Sequence, residues 1–354
     1  MTLVLSSRGS YTPWLQEMPK MKKLMTTAMA VALSAFAAEG YHVLNKIKIG
    51  GTGGWDYTTV DTNAHRLYAT HATAVEVVDL DSDKVVGSIP QLHNVHGVAI
   101  APDLNKGFIS NGQSNSVTIF DLKTLQKTGE PATGMNPDSI CYEPKTHRVF
   151  TFNGRSNDST AIDAKTGEPL TSFPVGGKPE FCVADGTGKL FVNLEDKSSI
   201  VEIDAAKPAV LRTASLAPCD SPSGLALDSK DGVLFSVCDN KMMAVTDVKG
   251  LKVIATPAIG SGPDAAAYDP GTGLAFSSNG EGNLSIVKNN GGKWETVDTV
   301  QTERGARTMT IDPRTHRVYL LAAEYGPAPA PKTGEKKGRP PILPDTFHVL
   351  VIGK

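Results

Sequence analysis

The chain has 354 residues, of which 20% are charged, and a formal net charge of -2 at pH 7. Its length suits one large domain with a substantial core. Its near-neutral charge argues against a surface that binds polyanions through bulk charge. The 34 glycines and 23 prolines indicate a chain rich in turns.

The first 38 residues have the pattern of an export signal. A basic stretch at residues 21–23 precedes an apolar segment at residues 24–36, and Ala35 and Ala37 provide a small-residue cleavage site. The apolar segment is too short for a membrane span. We expect residues 1–38 to be a signal peptide or lead segment, with Met21 as an alternative start. The mature domain, residues 39–354, is then periplasmic or secreted and has no integral membrane segment.

The rest of the chain repeats seven times. Each repeat has an apolar strand, a turn rich in Asp, Pro and Gly, a second strand with an aromatic residue, a polar loop, and a third strand that usually ends in Asp. The aromatic residues, 40 to 44 residues apart, are Tyr68, Phe108, Phe150, Phe191, Phe235, Phe276 and Tyr319. Short turns lead from the third strands to outer strands. This period predicts an all-β, seven-bladed β-propeller with four-stranded antiparallel blades.

The seventh repeat supplies only three strands, the last of them near residues 347–352. A further strand pattern lies near the N-terminus, at residues 41–49. We expect these two segments to pair, because pairing completes blade seven and closes the ring without a free inner edge.

The second strands have a common ending that points to a family. It reads Phe108-Ile-Ser-Asn111, Phe150-Thr-Phe-Asn153 and Phe276-Ser-Ser-Asn279 in three of the repeats. These segments resemble a degenerate form of the Tyr-Val-Thr-Asn strand of YVTN-type β-propellers, a family with YncE-like periplasmic members. The resemblance covers residues 40–354 and implies the propeller fold. It is only weak evidence about activity, because the repeated residues are structural.

The four cysteines form no C-x-x-C pattern, which argues against a zinc cage or an attached c-type haem. Cys219 precedes the first strand of the fifth repeat, and Cys238 ends its second strand. A hairpin brings them to one face, so a disulfide is one outcome in an oxidising compartment and free thiols are the other. Cys141 and Cys182 lie at equivalent positions of neighbouring repeats, and we interpret them as two small buried apolar residues.

In a propeller, the loops between blades share one face with the loops between second and third strands, at the mouth of the central channel. This face is the expected ligand site. Its candidate binding residues are Trp55, Asp56, His93, Asp138, Arg155, Asp220, Asp264 and Arg304. The leading interpretation is a monomeric, cofactor-free scaffold that binds a small molecule or an envelope protein here.

Two alternatives involve chemistry on the same face. His96, Glu180 and Arg307 fall in equivalent loops, and lactonase-type propellers use a similar set of a base and an oxyanion-stabilising cation. A cofactor-free lactonase or hydrolase is therefore one alternative. His93 and His96 are three residues apart and could share a metal ion, so a metal- or redox-cofactor-binding propeller is the other.

Two further features concern partners. Four acidic residues on this face would repel phosphate groups, so we expect no nucleic-acid partner; they are Asp56, Asp138, Glu180 and Asp264. The seventh repeat also carries an insertion at residues 326–345 that is rich in proline and lysine, and this composition indicates an extended segment. Because the insertion joins a second strand to a third, it is expected over the channel mouth as a lid, a docking arm or a tolerated surface insertion.

Overall fold

The computed structural model describes residues 40–329 and 340–354. The expected signal segment and the middle of the insertion lie outside these ranges. Within them, the chain forms 28 β-strands and two short 3-10 turns, Pro102–Leu104 and Glu195–Lys197. No helix in the described ranges is long and apolar enough to cross a membrane.

The first strand, β1 (His42–Lys48), belongs to the last blade, and blades one to four follow it in chain order. Blade one consists of β2 (Thr58–Asp61), β3 (Arg66–His71), β4 (Ala74–Asp79) and β5 (Lys84–Ile89). Blade two consists of β6 (Val95–Ala101), β7 (Lys106–Asn111), β8 (Ser116–Asp121) and β9 (Lys127–Gly129). Blade three consists of β10 (Pro137–Glu143), β11 (Arg148–Asn153), β12 (Asp158–Asp163) and β13 (Pro169–Pro174). Blade four consists of β14 (Pro179–Ala184), β15 (Lys189–Leu194), β16 (Ser199–Asp204) and β17 (Ala209–Ser215).

The remaining three blades complete the ring. Blade five consists of β18 (Pro222–Asp228), β19 (Val233–Cys238), β20 (Met242–Asp247) and β21 (Lys252–Ala255). Blade six consists of β22 (Pro263–Asp269), β23 (Leu274–Asn279), β24 (Asn283–Asn290) and β25 (Lys293–Gln301). Blade seven consists of β26 (Met309–Asp312), β27 (Arg317–Ala322), β28 (His348–Gly353) and β1. The predicted seven-bladed propeller with four-stranded antiparallel blades is confirmed.

The ring closes in the predicted way. β1 pairs antiparallel with β28, with Ile47 opposite Val349 and His42 opposite Gly353. The innermost strands of neighbouring blades contact each other around the whole ring, including β26 of blade seven and β2 of blade one. The N-terminal strand therefore supplies the outer strand of the blade that ends with the C-terminus.

The core lies between adjacent blades. The repeated aromatic residues of the second strands are all fully buried: Tyr68, Phe108, Phe150, Phe191, Phe235, Phe276 and Tyr319. In one cluster Phe276 of blade six packs with Leu320 and Leu350 of blade seven. Full burial of one such side chain stabilises the fold by roughly 1.5–3 kcal/mol, so each blade is held mainly by its neighbours.

The four cysteines form two disulfides. Cys219 and Cys238 are joined within blade five, which is the pairing that the sequence suggested. The interpretation of Cys141 and Cys182 as two separate buried residues is wrong, because a disulfide joins them across blades three and four with their Cα atoms 6.3 Å apart. Their equivalent positions lie on the innermost strands β10 and β14, which contact each other, so the same equivalence that indicated burial also brings the thiols within bonding range.

The turns between first and second strands lie on one face of the ring, which we call the turn face. Their acidic side chains accept hydrogen bonds from the backbone of their own turn: Asp312 from the N–H of Arg314 and Asp269 from the N–H of Gly271, both at 3.0 Å. His65 of blade one then lies with Nε2 3.0 Å from Asp312 Oδ2 of blade seven. This contact links the two blades at which the ring closes.

Candidate functional site

The loops between blades and the loops between second and third strands share the opposite face, which we call the channel face. Repeated backbone hydrogen bonds join the two kinds of loop. The N–H of Gly112 donates to the carbonyl of Asn94 at 2.9 Å, and the N–H of Gly154 donates to the carbonyl of Asn136 at 2.9 Å. Equivalent bonds in blades one, four, five and six place the inter-blade loop beside the polar loop of the same blade.

One position at the beginning of each innermost strand repeats around the channel face. We call these seven residues the channel ring: Asp56, His96, Asp138, Glu180, Ser223, Asp264 and Arg307. Sequence reasoning assigned six of them to separate binding, catalytic and metal roles and did not select Ser223. The structure brings them together as one polar ring, in which neighbours from different blades form ion pairs.

Two aromatic residues from blades one and four meet next to this ring. Tyr57 and Phe181 directly follow ring residues in blades one and four, and their rings meet edge to face with centroids 4.9 Å apart. The same position in the other blades carries a small or hydroxyl-bearing residue, namely Gly97, Ser139, Gly224, Ala265 and Thr308. Sequence reasoning missed this pair, although an aromatic residue at that position in only two blades was a visible signal.

His96 forms the tightest contact in the channel ring. Its Nδ1 is 2.6 Å from Asp56 Oδ2 and 3.7 Å from Asp138 Oδ1, and its Nε2 is 3.0 Å from the side-chain nitrogen of Asn94. Burial opposes a charge on the imidazole, but the hydrogen bond to Asp56 and the nearby carboxylates outweigh it. The pKa of His96 is therefore raised.

The carboxyl groups of blades three and four are less well satisfied. Burial, followed by the charge of Asp56, raises the pKa of Asp138, and Asp138 Oδ1 is buried with no hydrogen-bond partner among the described residues. Burial and the charge of Asp138 also raise the pKa of Glu180, although Lys178 Nζ lies 2.7 Å from Glu180 Oε1. This part of the ring thus holds carboxyl groups that the protein alone does not fully neutralise.

Blades six and seven contribute an ion pair, formed by a carboxylate and a guanidinium. Arg307 Nε is 3.2 Å from Asp264 Oδ2. Burial raises the pKa of Asp264 to about 7; the charge of Arg307 opposes this shift, and the charges of Asp56 and Asp138 add to it. The positive charge of Arg307 therefore offsets only part of the free-energy cost of burying the Asp264 carboxylate.

A cavity of about 540 Å³ lies beside Arg307, between blades six, seven and one. Its walls include Trp55, Arg304, Arg307, Tyr325 and Ile342. The ring centroids of Trp55 and Tyr325 are 6.4 Å apart. Glycines 54, 262, 280 and 305 line the rest of the space, and their missing side chains leave it open.

The described ends of the insertion continue blade seven outward. The N–H of Gly326 donates to the carbonyl of Pro341 at 2.8 Å, and the N–H of Leu343 donates to the carbonyl of Glu324 at 2.9 Å. Ile342, between them in sequence, lies on the cavity wall. The described ends of the insertion therefore border the channel face, whereas its roles as lid or docking arm stay predictions.

Three of the sequence-predicted binding residues lie on the exposed rim of the channel face: His93, Arg155 and Asp220. The hydrogen bonds that they form with other described residues are made by the backbone. The carbonyl of His93 accepts from the N–H of Gln113 at 3.1 Å, for example. These side chains are thus accessible but take no part in the ring contacts.

The structure regroups the residues predicted for metal binding and catalysis. In the described part of the chain, one group of possible metal ligands lies close enough together to share an ion. It consists of Asp56, His96 and Asp138, whose ligand atoms lie within 4.8 Å of one another. His93 does not belong to this group. The proposed catalytic residues contact different partners: His96 contacts Asp56, Glu180 contacts Lys178, and Arg307 contacts Asp264.

No protein-family model matches the chain, and no curated protein matches it. Among solved structures, the chain is similar to hydrazine synthase from Kuenenia stuttgartiensis, with a TM-score of 0.66 and 18% sequence identity. The match covers 76% of this chain and 92% of that chain. At this identity the likeness shows the propeller fold and nothing about activity, and the resemblance to YVTN-type propellers stays a prediction.

Proposed function

We propose that this protein is an exported, YVTN-type propeller that binds a small anionic molecule with a planar apolar body in the cavity beside Arg307. The observation that carries the proposal is the convergence of two guanidinium groups and two aromatic rings on one space of about 540 Å³. Small-molecule sites are concave, mostly apolar, and contain a few converging polar groups within roughly 300–1,000 Å³.

The two arginines supply the anion-binding groups. Arg304 is exposed, and no hydrogen bond or ion pair engages its guanidinium among the described residues. Arg307 contacts Asp264 through Nε, so its two terminal NH₂ groups remain able to donate to a ligand. Guanidinium groups recognise carboxylate and phosphate through paired N–H donors, which favours a ligand with one of these groups.

The aromatic residues supply the apolar wall. Trp55 stacks on Phe347 with centroids 5.4 Å apart, and Phe347 stacks in turn on His71 at 4.3 Å. This contact orients the indole before a ligand arrives. A rigid indole beside Tyr325 favours a planar apolar group.

The two disulfides support the export part of the proposal. Both pairs, Cys141 with Cys182 and Cys219 with Cys238, need an oxidising compartment to persist. The periplasm and the cell exterior meet this condition, in agreement with the signal pattern of residues 1–38.

Fluorescence of Trp55 tests the proposal directly. In residues 39–354, Trp294→Phe leaves Trp55 as the single tryptophan and keeps an aromatic ring against Phe235. We expect 2-naphthoate to change the Trp55 emission with saturation, whereas the neutral 2-naphthamide binds at least about tenfold more weakly, because charge-assisted hydrogen bonds contribute about 1.5–3 kcal/mol.

A matched pair of arginine variants provides the control. Arg304→Gln should weaken 2-naphthoate binding about tenfold. Arg155→Gln removes an exposed arginine from the same face, outside the cavity, and should leave binding unchanged. Equal affinity for the acid and the amide, or equal losses in both variants, would contradict the proposal.

A further inference from the structure

Three consecutive blades each direct one metal-binding side chain to the same point of the channel ring. Asp56 precedes β2, His96 is in β6 and Asp138 is in β10. One donor atom from each lies within 4.8 Å of the other two. His96 and Asp138 are held by innermost strands, and Asp56 lies two residues before one, with its N–H bonded to the hydroxyl of Thr70 at 2.9 Å.

The donor set has a defined chemical preference. It comprises one imidazole nitrogen and two carboxylates, which suits divalent first-row metals such as zinc and manganese. The three side chains are each at least three-quarters buried: 22% of Asp56 and 17% of both His96 and Asp138 remain exposed. This leaves access from the channel face, where open coordination positions would be filled by water or ligand.

One oxygen of the cluster lacks a partner. Asp138 Oδ1 is buried, and no donor among the described residues bonds to it. Its ion-pair contact is with His96 Nδ1, at 3.7 Å. A buried carboxylate oxygen normally has a hydrogen bond or a cation. A metal ion between Asp138 and His96 would satisfy it.

The surroundings of His96 leave room for an ion-binding imidazole. A side chain at Gly112 would overlap His96 Nε2, so glycine keeps this side of the ring free. Asn94 bonds Nε2 at 3.0 Å. Rotation of its amide presents oxygen instead of nitrogen, so Asn94 can hold Nε2–H while Nδ1 releases its proton to solvent and binds the ion.

The local charges also favour a cation. The channel ring contains four carboxyl groups and one guanidinium; the carboxyl groups belong to Asp56, Asp138, Glu180 and Asp264. Lys178 contacts Glu180, and Arg307 contacts Asp264, so neither of these two ion pairs involves Asp56 or Asp138. The imidazole of His96 is the basic group in the ion pairs that the described residues form with Asp56 and Asp138, and Lys178 and Arg307 act on these two carboxylates only through their charges at longer range.

We propose that Asp56, His96 and Asp138 bind one divalent transition-metal ion, of the zinc or manganese type, at the mouth of the channel. The site differs from the His93–His96 pair expected from the sequence, because Asp56 and Asp138 come from the two neighbouring blades. It is separate from the anion cavity, whose Arg307 interacts with Asp56 only through its charge.

The test uses residues 39–354, first treated with a chelator and then titrated with Zn²⁺ against a chromophoric chelator. A parallel titration follows free Mn²⁺ by electron paramagnetic resonance. We expect one high-affinity ion per chain. Asp138→Asn and His96→Gln should each weaken binding at least tenfold, whereas Asp220→Asn, which alters an exposed acid of the same face, should not.

Cobalt provides a readout that does not depend on affinity alone. The visible bands of the Co²⁺-loaded protein should change in His96→Gln, because one nitrogen ligand is lost. If Asp138→Asn fails to fold, as judged by circular dichroism, Asp56→Asn takes its place. Binding of less than half an ion per chain, or variants that bind as tightly as the parent, would overturn the proposal.

One further variant separates the two proposals. Arg304→Gln should reduce 2-naphthoate binding and leave Zn²⁺ affinity unchanged. Zn²⁺ binding that falls with Arg304→Gln but persists in Asp138→Asn would place the ion elsewhere and reject the site. Loss of 2-naphthoate binding alone would bear only on the anion cavity.

Discussion

Both faces of the ring carry buried aspartates, but these differ in how fully their carboxylate oxygens are hydrogen-bonded. On the turn face, Asp312 is fully buried and accepts bonds from Arg314 N–H, from the Thr315 hydroxyl at 2.9 Å and from His65. On the channel face, Asp138 is also largely buried, yet its Oδ1 has no donor among the described residues.

The supply of backbone donors explains the difference. A tight turn presents its own N–H groups to the acid that begins it, so the carboxylates of Asp312 and Asp269 accept backbone hydrogen bonds within their own turns. At the channel ring, the acids stand at the beginning of innermost strands and face one another across the channel. Asp312 on the turn face therefore helps to hold two blades together, whereas Asp138 in the channel ring keeps one carboxylate oxygen without a donor among the described residues.

The largest expected effect is on the turn face. Asp312→Ala removes an acceptor used by Arg314, Thr315 and His65 at the closure of the ring. We expect the free energy of unfolding to fall by about 3 kcal/mol, because the buried imidazole of His65 and two partly buried donors lose their partner together. Urea unfolding of the parent and the variant measures this. A loss below about 1 kcal/mol would show that the acids of the turn face are not structural.

An effect of intermediate size is expected from a substitution of Asp264 on the channel face, which should raise the free energy of unfolding at neutral pH instead of lowering it. The pKa of Asp264 is about 7 in the folded protein, against 3.8 for an ordinary aspartate. A raised carboxyl pKa means that this group stabilises the native state most below about pH 4, and that its contribution is lost as pH rises through 7. Asp264→Asn removes this loss.

Unfolding at several pH values in the presence of a chelator measures the effect. Relative to the parent, Asp264→Asn should gain roughly 1–3 kcal/mol between about pH 5 and pH 8, since one pKa unit corresponds to about 1.4 kcal/mol. The charges that act on the group are those of Arg307, Asp56 and Asp138. A parent and variant with parallel pH profiles would contradict the assigned pKa.

The smallest expected effect belongs to the second partner of His65. Asp81 Oδ1 is 2.5 Å from His65 Nδ1, but 74% of the Asp81 side chain is exposed. Asp81→Ala should therefore cost less than about 1 kcal/mol, as for most exposed ion pairs. When both variants are measured, Asp81→Ala and Asp312→Ala compare two acids that contact the same imidazole, that of His65. Equal losses in the two variants would show that burial does not decide their importance.

Much of the fold could be predicted because its signals are local. The alternation of apolar residues and the aromatic residue of each second strand, from Tyr68 to Tyr319, repeat within every blade and define seven of them. The N-terminal strand was also predictable, since the seventh repeat lacked one strand and residues 41–49 supplied it.

The pairings between blades were less predictable. Cys141 and Cys182 are 41 residues apart, and their equivalent positions indicated similar environments rather than a covalent bond. His93 and His96 are close in sequence, but His96 is directed into the ring and His93 outward to the rim. Asp56, 40 residues earlier than His96, is its actual partner.

The number of blades, their order and the face that carries the polar residues were thus predictable, because they follow from short-range backbone periodicity. Which side chains of that face meet depends on how the blades pack, as for Asp56 with His96, Asp264 with Arg307 and Tyr57 with Phe181. These contacts join residues at least one blade apart. Their distances depend on how the blades pack around the channel, which no local pattern specifies.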